Sequence, residues 1–302
     1  MASLKAWISA ARPRTVLLSL SGVLMGCFLA IKKELYYPAP FVFAALTAIL
    51  LQILSNLAND YGDFKKGLDN AHRTGPERTM QSGALTERQM RIGIAVVLFL
   101  CLVSGGLLLL SVIIVHASLT TLIVFALLGI AALLAALLYT LGKRPYGYRG
   151  LGDLFCFLFF GWATVAGTYY LATIDLDFAV LLPATALGCC SNAVLNINNM
   201  RDYENDKANG KNSLVVKMGL KKAFVYHVLL VVLPFLCLTA FLLLKHAVFY
   251  TYAFWLLFPL FLIDLVTIKR TLYTGVLDPL LPKQVLHTFL LTLAFGVLYL
   301  SF

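Results

Sequence analysis

Two short acidic stretches hold the residues best able to do chemistry. The first runs Asn56-Leu-Ala-Asn-Asp60-Tyr-Gly-Asp63, the second Asn198-Asn-Met-Arg-Asp202-Tyr-Glu-Asn-Asp206. In both, an Asn precedes the leading Asp by four residues, and another Asp follows it after three or four. That spacing stacks the side chains along one helix face. Carboxylates one turn apart repel and destabilise the helix that carries them, so two such faces ask for a compensating cation. Hard oxygen donors, one or two carboxylates per ion with phosphate oxygens completing the shell, suit Mg²⁺. The metal would also let an acidic face accept a diphosphate. The pattern reads as a metal site on Asn56, Asp60, Asp63, Asp202 and Asp206, the four aspartates carrying the chemistry. Acids can also simply solvate helix ends, which is the reading for Glu77 and Glu87; the repeated spacing sets the aspartates apart.

Cations and aromatic rings accompany the acids. Lys143, Arg144, Arg201, Lys207 and Lys211 can neutralise phosphate charge. The segment Tyr139-Thr-Leu-Gly-Lys143-Arg144-Pro-Tyr146-Gly-Tyr-Arg-Gly-Leu-Gly-Asp153 combines cations, tyrosines and glycines. Alone it would pass for interfacial belt residues; beside the two acidic faces it forms a third wall that allows close approach to an anion and stacking on an aromatic ring.

Something must bring these stretches to one surface. Of the 302 residues, 61% are hydrophobic and 13% charged, where a soluble domain carries roughly a quarter charged. The charges gather in short loops. Between them lie uncharged runs long enough to cross a bilayer, which takes about 20 residues. Candidate helices fall near 15–31, 40–59, 92–114, 119–141, 152–173, 179–200, 223–244, 247–268 and 285–302. The charge-free run from Ile92 to Gly142 is too long for one span and breaks at Val115-His116-Ala117-Ser118, so His116 reads as a turn residue. The expectation is an all-α polytopic membrane protein of nine helices, one domain over 1–302, with loops 60–91, 142–151 and 201–222 as its cap.

With nine spans, 21 of the 24 Lys and Arg fall on one side; Lys32, Lys33 and Lys245 fall on the other. That asymmetry places the N-terminus and four charged loops, the three of the cap and the last with Lys269, Arg270 and Lys283, in the cytoplasm and the C-terminus outside. Both acidic faces then stand at cytoplasmic ends, of the second and sixth helices. The net charge of +10 follows from the same rule and from anionic lipid, which leaves no case for nucleic acid. Asp175 and Asp177 read as a solvated outward turn. No small-residue cleavage site follows the first apolar run, so that helix reads as a retained anchor. The six cysteines lie in apolar runs without metal-type spacing and read as packed small hydrophobes.

On these stretches the chain resembles the UbiA superfamily of intramembrane prenyltransferases. The resemblance is carried by Ala11-Arg-Pro-Arg-Thr15, Asn56–Asp69, Gly75-Pro-Glu-Arg78 with Gly83, Arg144-Pro-Tyr-Gly-Tyr148 with Gly150-Leu-Gly-Asp153, and Val194–Asp202 with Asp206 and Asn209-Gly-Lys211. It spans nearly the whole chain. Many relatives carry an Asp where this chain has Gly67; Asp69 follows two residues later, as in the menaquinone branch, and is not placed in the metal set. The resemblance implies nine helices around a central cavity in the cell inner (plasma) membrane, capped by the aspartate motifs. It implies Mg²⁺ bridging a polyprenyl diphosphate, and transfer of the prenyl group to 1,4-dihydroxy-2-naphthoate with loss of CO₂. Asn56, Tyr139, Lys143, Arg144, Tyr146, Asn198, Arg201, Lys207 and Lys211 would bind diphosphate and substrate, and loops 60–91 and 201–222 would close as a lid.

Two other readings compete. One keeps the transfer but changes the acceptor to 4-hydroxybenzoate, homogentisate or a haem. The other, a transporter, calls for ionisable groups lining a path at the bilayer midplane. The spans are nearly bare of these: Asp264, close to Lys269, faces the interior or snorkels, and His227 and His287 read as satisfied structural histidines near helix ends.

Overall fold

The computed structural model describes residues 3–33, 36–69, 75–114, 118–273 and 276–302. His116, expected at a turn, and Arg73, counted in the first cap loop, lie outside them. Ser3 caps a short helix α1 (Leu4–Ala11) by accepting the Ala6 N–H at 3.2 Å. Arg12 then turns the chain in the left-handed region, φ 49°, and Pro13 opens α2 (Pro13–Ile31), where its fixed φ suits the first helical position. The following long helices are α3 (Ala39–Lys65), α4 (Glu87–Ile113), α5 (Leu119–Leu138) and α6 (Gly152–Thr173), then α7 (Phe178–Arg201). Two short helices, α8 (Tyr203–Ala208) and α9 (Leu214–Met218), precede α10 (Leu220–Leu244), α11 (Phe249–Thr271) and α12 (Leu280–Leu300).

Among the described residues nine helices are long and apolar enough to cross a membrane, in the order expected. The protein is multi-pass. The second span continues past its expected end to Lys65, so Asp60 and Asp63 stand on the last turns of α3 rather than in a loop. All six cysteines are free, three of them buried.

α2 is central, packing against α3, α6 and α12, while α7 packs against α6, α10 and α12. Phe235, Phe254, Phe261 and Phe295 fill the core between α10, α11 and α12. On the other flank α3 and α4 pair along their length and α5 leans on both. α5 buries only Thr121 and turns Ile123, Leu127 and Ile130 outward, as a helix against lipid should. It meets α6 through the Phe125–Tyr170 stack and the Thr121–Tyr170 hydroxyl contact at 3.0 Å. Towards the aspartates, Gly129, Ala132 and Ala136 on α5 and Phe159, Ala163 and Gly167 on α6 line a shared cavity.

From Phe157 to Ala166, α6 is wound as a π-helix, a form that favours functional sites. There it touches α7 almost backbone to backbone: a Cβ on Gly161 would lie 2.5 Å from the Ala184 carbonyl oxygen and 2.8 Å from the Gly188 Cα.

Asp264 and His287 meet, Nδ1 to Oδ2 at 2.9 Å, so Asp264 neither snorkels nor lines the cavity. His227 is fully buried with neither ring nitrogen hydrogen-bonded, where a satisfied histidine was expected. Asp175 and Asp177 are also more than a solvated turn, since each pairs with a lysine.

Candidate active site

The acidic faces converge because the cap segments are tied to one another. Asn205 donates to the Leu68 carbonyl at 2.9 Å, joining α8 to the end of the first acidic stretch. The Asn212 N–H donates to Tyr148 O at 3.1 Å, and Lys217 Nζ to Arg149 O at 2.6 Å. The Thr140 hydroxyl donates to Ala58 O at 2.9 Å, and Lys66 Nζ donates to Thr140 O at 3.0 Å. These bonds pin the turn after α5 onto the last turns of α3. The cavity between them, about 800 Å³, runs from Asp60 and Asp63 down to Phe125 and Leu171.

Asp60, Asp63, Asp202 and Asp206 are all buried, and each is met by a group of the chain itself. Thr79 donates its hydroxyl to Asp60 Oδ2 at 2.5 Å. Asp63 accepts from the Tyr148 hydroxyl at 2.8 Å and lies 3.3 Å from Arg78 Nη2. Arg201 grips Asp202 through Nε and Nη2 at 2.8 and 2.7 Å, and donates Nη1 to Asp278 at 2.7 Å. Lys211 Nζ lies 3.3 Å from Asp206 Oδ2. Burial pushes the Asp206 carboxyl up to about 6, with Lys211 pulling the other way. For Lys211 burial opposes the charge, but Asp206 and Asp63 outweigh it and hold the ammonium above its ordinary range.

The sequence-predicted residues divide. Asp60, Asp63, Tyr139, Tyr146, Asn198, Arg201 and Lys211 line the cavity. Asp202 and Asp206 lie behind Arg201 and Lys211 rather than on its surface. Lys143, Arg144 and Lys207 are exposed and do not reach it: the 3₁₀ turn Tyr146–Arg149 tucks Pro145 and Tyr146 in and leaves the two cations before it outside. Asn56 is buried, but its amide is spent on structure. Nδ2 donates to Ala11 O at 2.8 Å and Thr15 Oγ1 at 2.9 Å, and Oδ1 accepts from Gln52 at 3.2 Å. It fastens the α1–α2 turn to α3. Glu77, read as solvating a helix end, stands at the cavity wall, while Glu87 in the first turn of α4 takes Lys65 at 3.0 Å.

Sequence reasoning missed five residues here: Asn59, Arg78, Thr79, Tyr148 and Asp278. Arg78 lay in the Gly75-Pro-Glu-Arg78 stretch and Asn59 beside Asp60, but Asp278 is a lone acid with no spacing to flag it. Arg78 bridges Asp63 and Asp69, its Nε 3.3 Å from Asp69 Oδ1, and those acids raise its affinity for the proton against the cost of burial. Breaking a buried pair costs about 3–5 kcal/mol. Arg78→Gln is therefore expected to lower the melting temperature of the purified protein in detergent by several degrees; an unchanged melt would mean that these pairs do not hold the cap.

The donor set suits a divalent cation. It is all hard oxygen, and Asp60 Oδ1 is buried without a hydrogen-bond partner, while Asp206 Oδ2 has the Lys211 ammonium 3.3 Å away. Among the described residues no three His, Cys, Asp or Glu groups stand close enough to hold an ion by themselves.

Comparison with known proteins gives a consistent picture. A model of the UbiA prenyltransferase family matches residues 19–275. The 1,4-dihydroxy-2-naphthoate octaprenyltransferase of Escherichia coli (strain K12) is 40% identical, over 96% of this chain and 94% of that protein. Its namesake from Haemophilus influenzae is 38% identical over 97% and 95%. Among solved structures, a UbiA homolog from Archaeoglobus fulgidus bound to DMAPP and Mg²⁺ superposes with a TM-score of 0.63 at 15% identity, covering 98% of this chain and 99% of that one. An apo UbiA homolog from Aeropyrum pernix K1 gives 0.62 at 16% identity, over 95% and 96%.

Proposed function

Since the chain belongs to the UbiA prenyltransferase family, we propose that its cavity is where a polyprenyl group passes from its diphosphate to 1,4-dihydroxy-2-naphthoate, with loss of CO₂, giving demethylmenaquinone. The observation that carries this reading is one cavity whose cap end gathers acids and cations while its depth is apolar and aromatic, together with close relatives named for that reaction over almost their whole length.

The donor's diphosphate lies among Arg78, Arg201 and Lys211, whose guanidinium and ammonium groups provide charge-assisted hydrogen bonds. Asp60 and Asp63 on the cavity wall, and Asp202 and Asp206 behind it, would hold divalent ions, Mg²⁺ in this reading, with one or two carboxylates to each, and the charge of such ions would offset that of the departing diphosphate. Asn198 and Asn59 supply neutral donors on the same wall. The tail lies along Phe125, Ala132, Phe159 and Ala163. Where the allylic C–O bond breaks, Tyr139, Tyr146 and Phe155 offer ring faces to the developing cation. Tyr146 meets Tyr139 edge-on with centroids 5.4 Å apart and Phe155 at 4.3 Å, so the rings are held before substrate arrives. Loops 60–91 and 201–222, with 142–151, form the cap of one transferase unit over 1–302 and exclude the water that would quench the cation. In this reading the cap faces the cytoplasm of the cell inner membrane, which the lysine and arginine asymmetry supports.

Purified protein given a polyprenyl diphosphate, 1,4-dihydroxy-2-naphthoate and Mg²⁺ is expected to release CO₂ and form the prenylated naphthoquinol. It should stop with a chelator, restart with added Mg²⁺, and leave 4-hydroxybenzoate unprenylated. Prenylation of 4-hydroxybenzoate instead would overturn the acceptor, and turnover in chelator would overturn the metal.

A further inference from the structure

Arg201 is held by more than a buried arginine needs. Its Nε and Nη2 take both oxygens of Asp202 at 2.8 and 2.7 Å, and Nη2 also donates to Asn198 Oδ1 at 2.9 Å. A bidentate pair of this kind is the strong form of the arginine–carboxylate contact. Yet the remaining nitrogen, Nη1, donates to a second carboxylate, that of Asp278, at 2.7 Å.

The two acids differ in setting. Asp202 sits behind the cavity wall with 7% of its side chain exposed, whereas Asp278 lines the cavity and is 37% exposed. The fold fixes Asp278 there. Leu277 and Leu280 on either side of it are buried against Ile197, Met200 and Ile268, and its carbonyl accepts the Leu281 N–H at 3.2 Å where α12 begins. Leu281, Pro282 and Val285 continue the same wall. A cavity-lining carboxylate of the chain thus occupies a guanidinium nitrogen whose planar fork also matches phosphate.

We propose that Asp278 is the exchangeable counter-ion of Arg201, standing where a phosphate oxygen of the donor binds and competing with the diphosphate product for its release. This rests on the reading of the cavity as a prenyl-diphosphate site. Parting Asp202 from Arg201 strands a buried carboxylate, which is strongly destabilising. Asp278, at the exposed edge, returns to water at little cost. Nη1 is therefore the donor that changes partner when a diphosphate arrives. After transfer the carboxylate reclaims it, so the acid gives up tight binding of diphosphate in favour of its departure.

The test is calorimetric titration of the full chain in detergent with inorganic diphosphate in the presence of Mg²⁺. Asp278→Asn keeps an acceptor oxygen for Nη1 and removes the charge. It should bind diphosphate about fivefold more tightly than wild type, the scale of one exposed ion pair. In turnover the same variant should be inhibited by correspondingly lower concentrations of added diphosphate. Asp175→Asn, which removes an acid paired with Lys33 at the opposite end of the bundle, should bind as wild type does. Unchanged or weaker binding by Asp278→Asn would overturn the proposal, since removing an acid that merely braced the loop or held an ion does not tighten binding. Equal tightening by Asp175→Asn would overturn it too, by making the effect one of net charge. A wild-type protein that bound no diphosphate would overturn the prenyl-diphosphate reading itself, and this inference with it.

Discussion

Asp60→Asn is expected to cut prenyl transfer by about a thousandfold, the scale of removing one preorganised electrostatic group from a transition state, while the protein melts within a few degrees of wild type. The two parts separate because of what Asp60 touches. Its neighbour is the Thr79 hydroxyl, which can donate to an amide oxygen as well as to a carboxylate, so the cap keeps its bond and loses only the charge. Asp202→Asn should abolish transfer too, but less cleanly. Arg201 holds both Asp202 oxygens, and an amide would leave a buried guanidinium short of its counter-charge, which is strongly destabilising. Turnover should therefore be measured on both variants beside a melting curve. Near-normal rates from a well-folded Asp60→Asn protein would remove Asp60 from the chemistry.

Gly161→Leu should fail to accumulate as folded protein. Even a methyl group at this position would sit 2.5 Å from the Ala184 carbonyl and within 3 Å of the Gly188 backbone. Backbone cannot rotate away as a side chain can. Overpacking costs about 1–3 kcal/mol when neighbours can shift; here α6 and α7 would have to part along the contact that carries Asn198, Arg201 and Asp202 to the cavity. Gly105→Leu on α4 is the control, because nothing lies within 4 Å of its Cβ position. The comparison is the yield of monodisperse protein after extraction, and equal yields would show that the α6–α7 contact is looser than described.

The spans were legible in the sequence because lipid imposes long uncharged runs, and the acidic faces because an Asn and two Asp at helical spacing leave a local trace. What was not legible depends on segments far apart in the chain. Arg78 faces Asp63 only because the loop after α3 folds back; Asp278 meets Arg201 from 77 positions further along the chain. Lys143 and Arg144 were placed in the site because they neighbour Tyr146 in sequence, yet one 3₁₀ turn sends the ring inward and leaves the cations out. Asn56 shares its helix face with Asp60, but the α1–α2 turn takes its amide. The π-helical stretch of α6 has no signature in the composition of Phe157–Ala166.

The pairing of every buried acid with a group of the chain has a further consequence. On the proposed reading, a lone divalent ion that drew Asp63, Asp202 or Asp206 to itself would part them from Arg78, Arg201 or Lys211, leaving those cations buried and unanswered. A lone diphosphate would have to draw the same cations away and leave the carboxylates stranded. When both arrive, each severed pair is replaced by another of like strength, cation to diphosphate and carboxylate to ion. On the proposed reading, the site would admit two ligands of opposite charge together more readily than either alone.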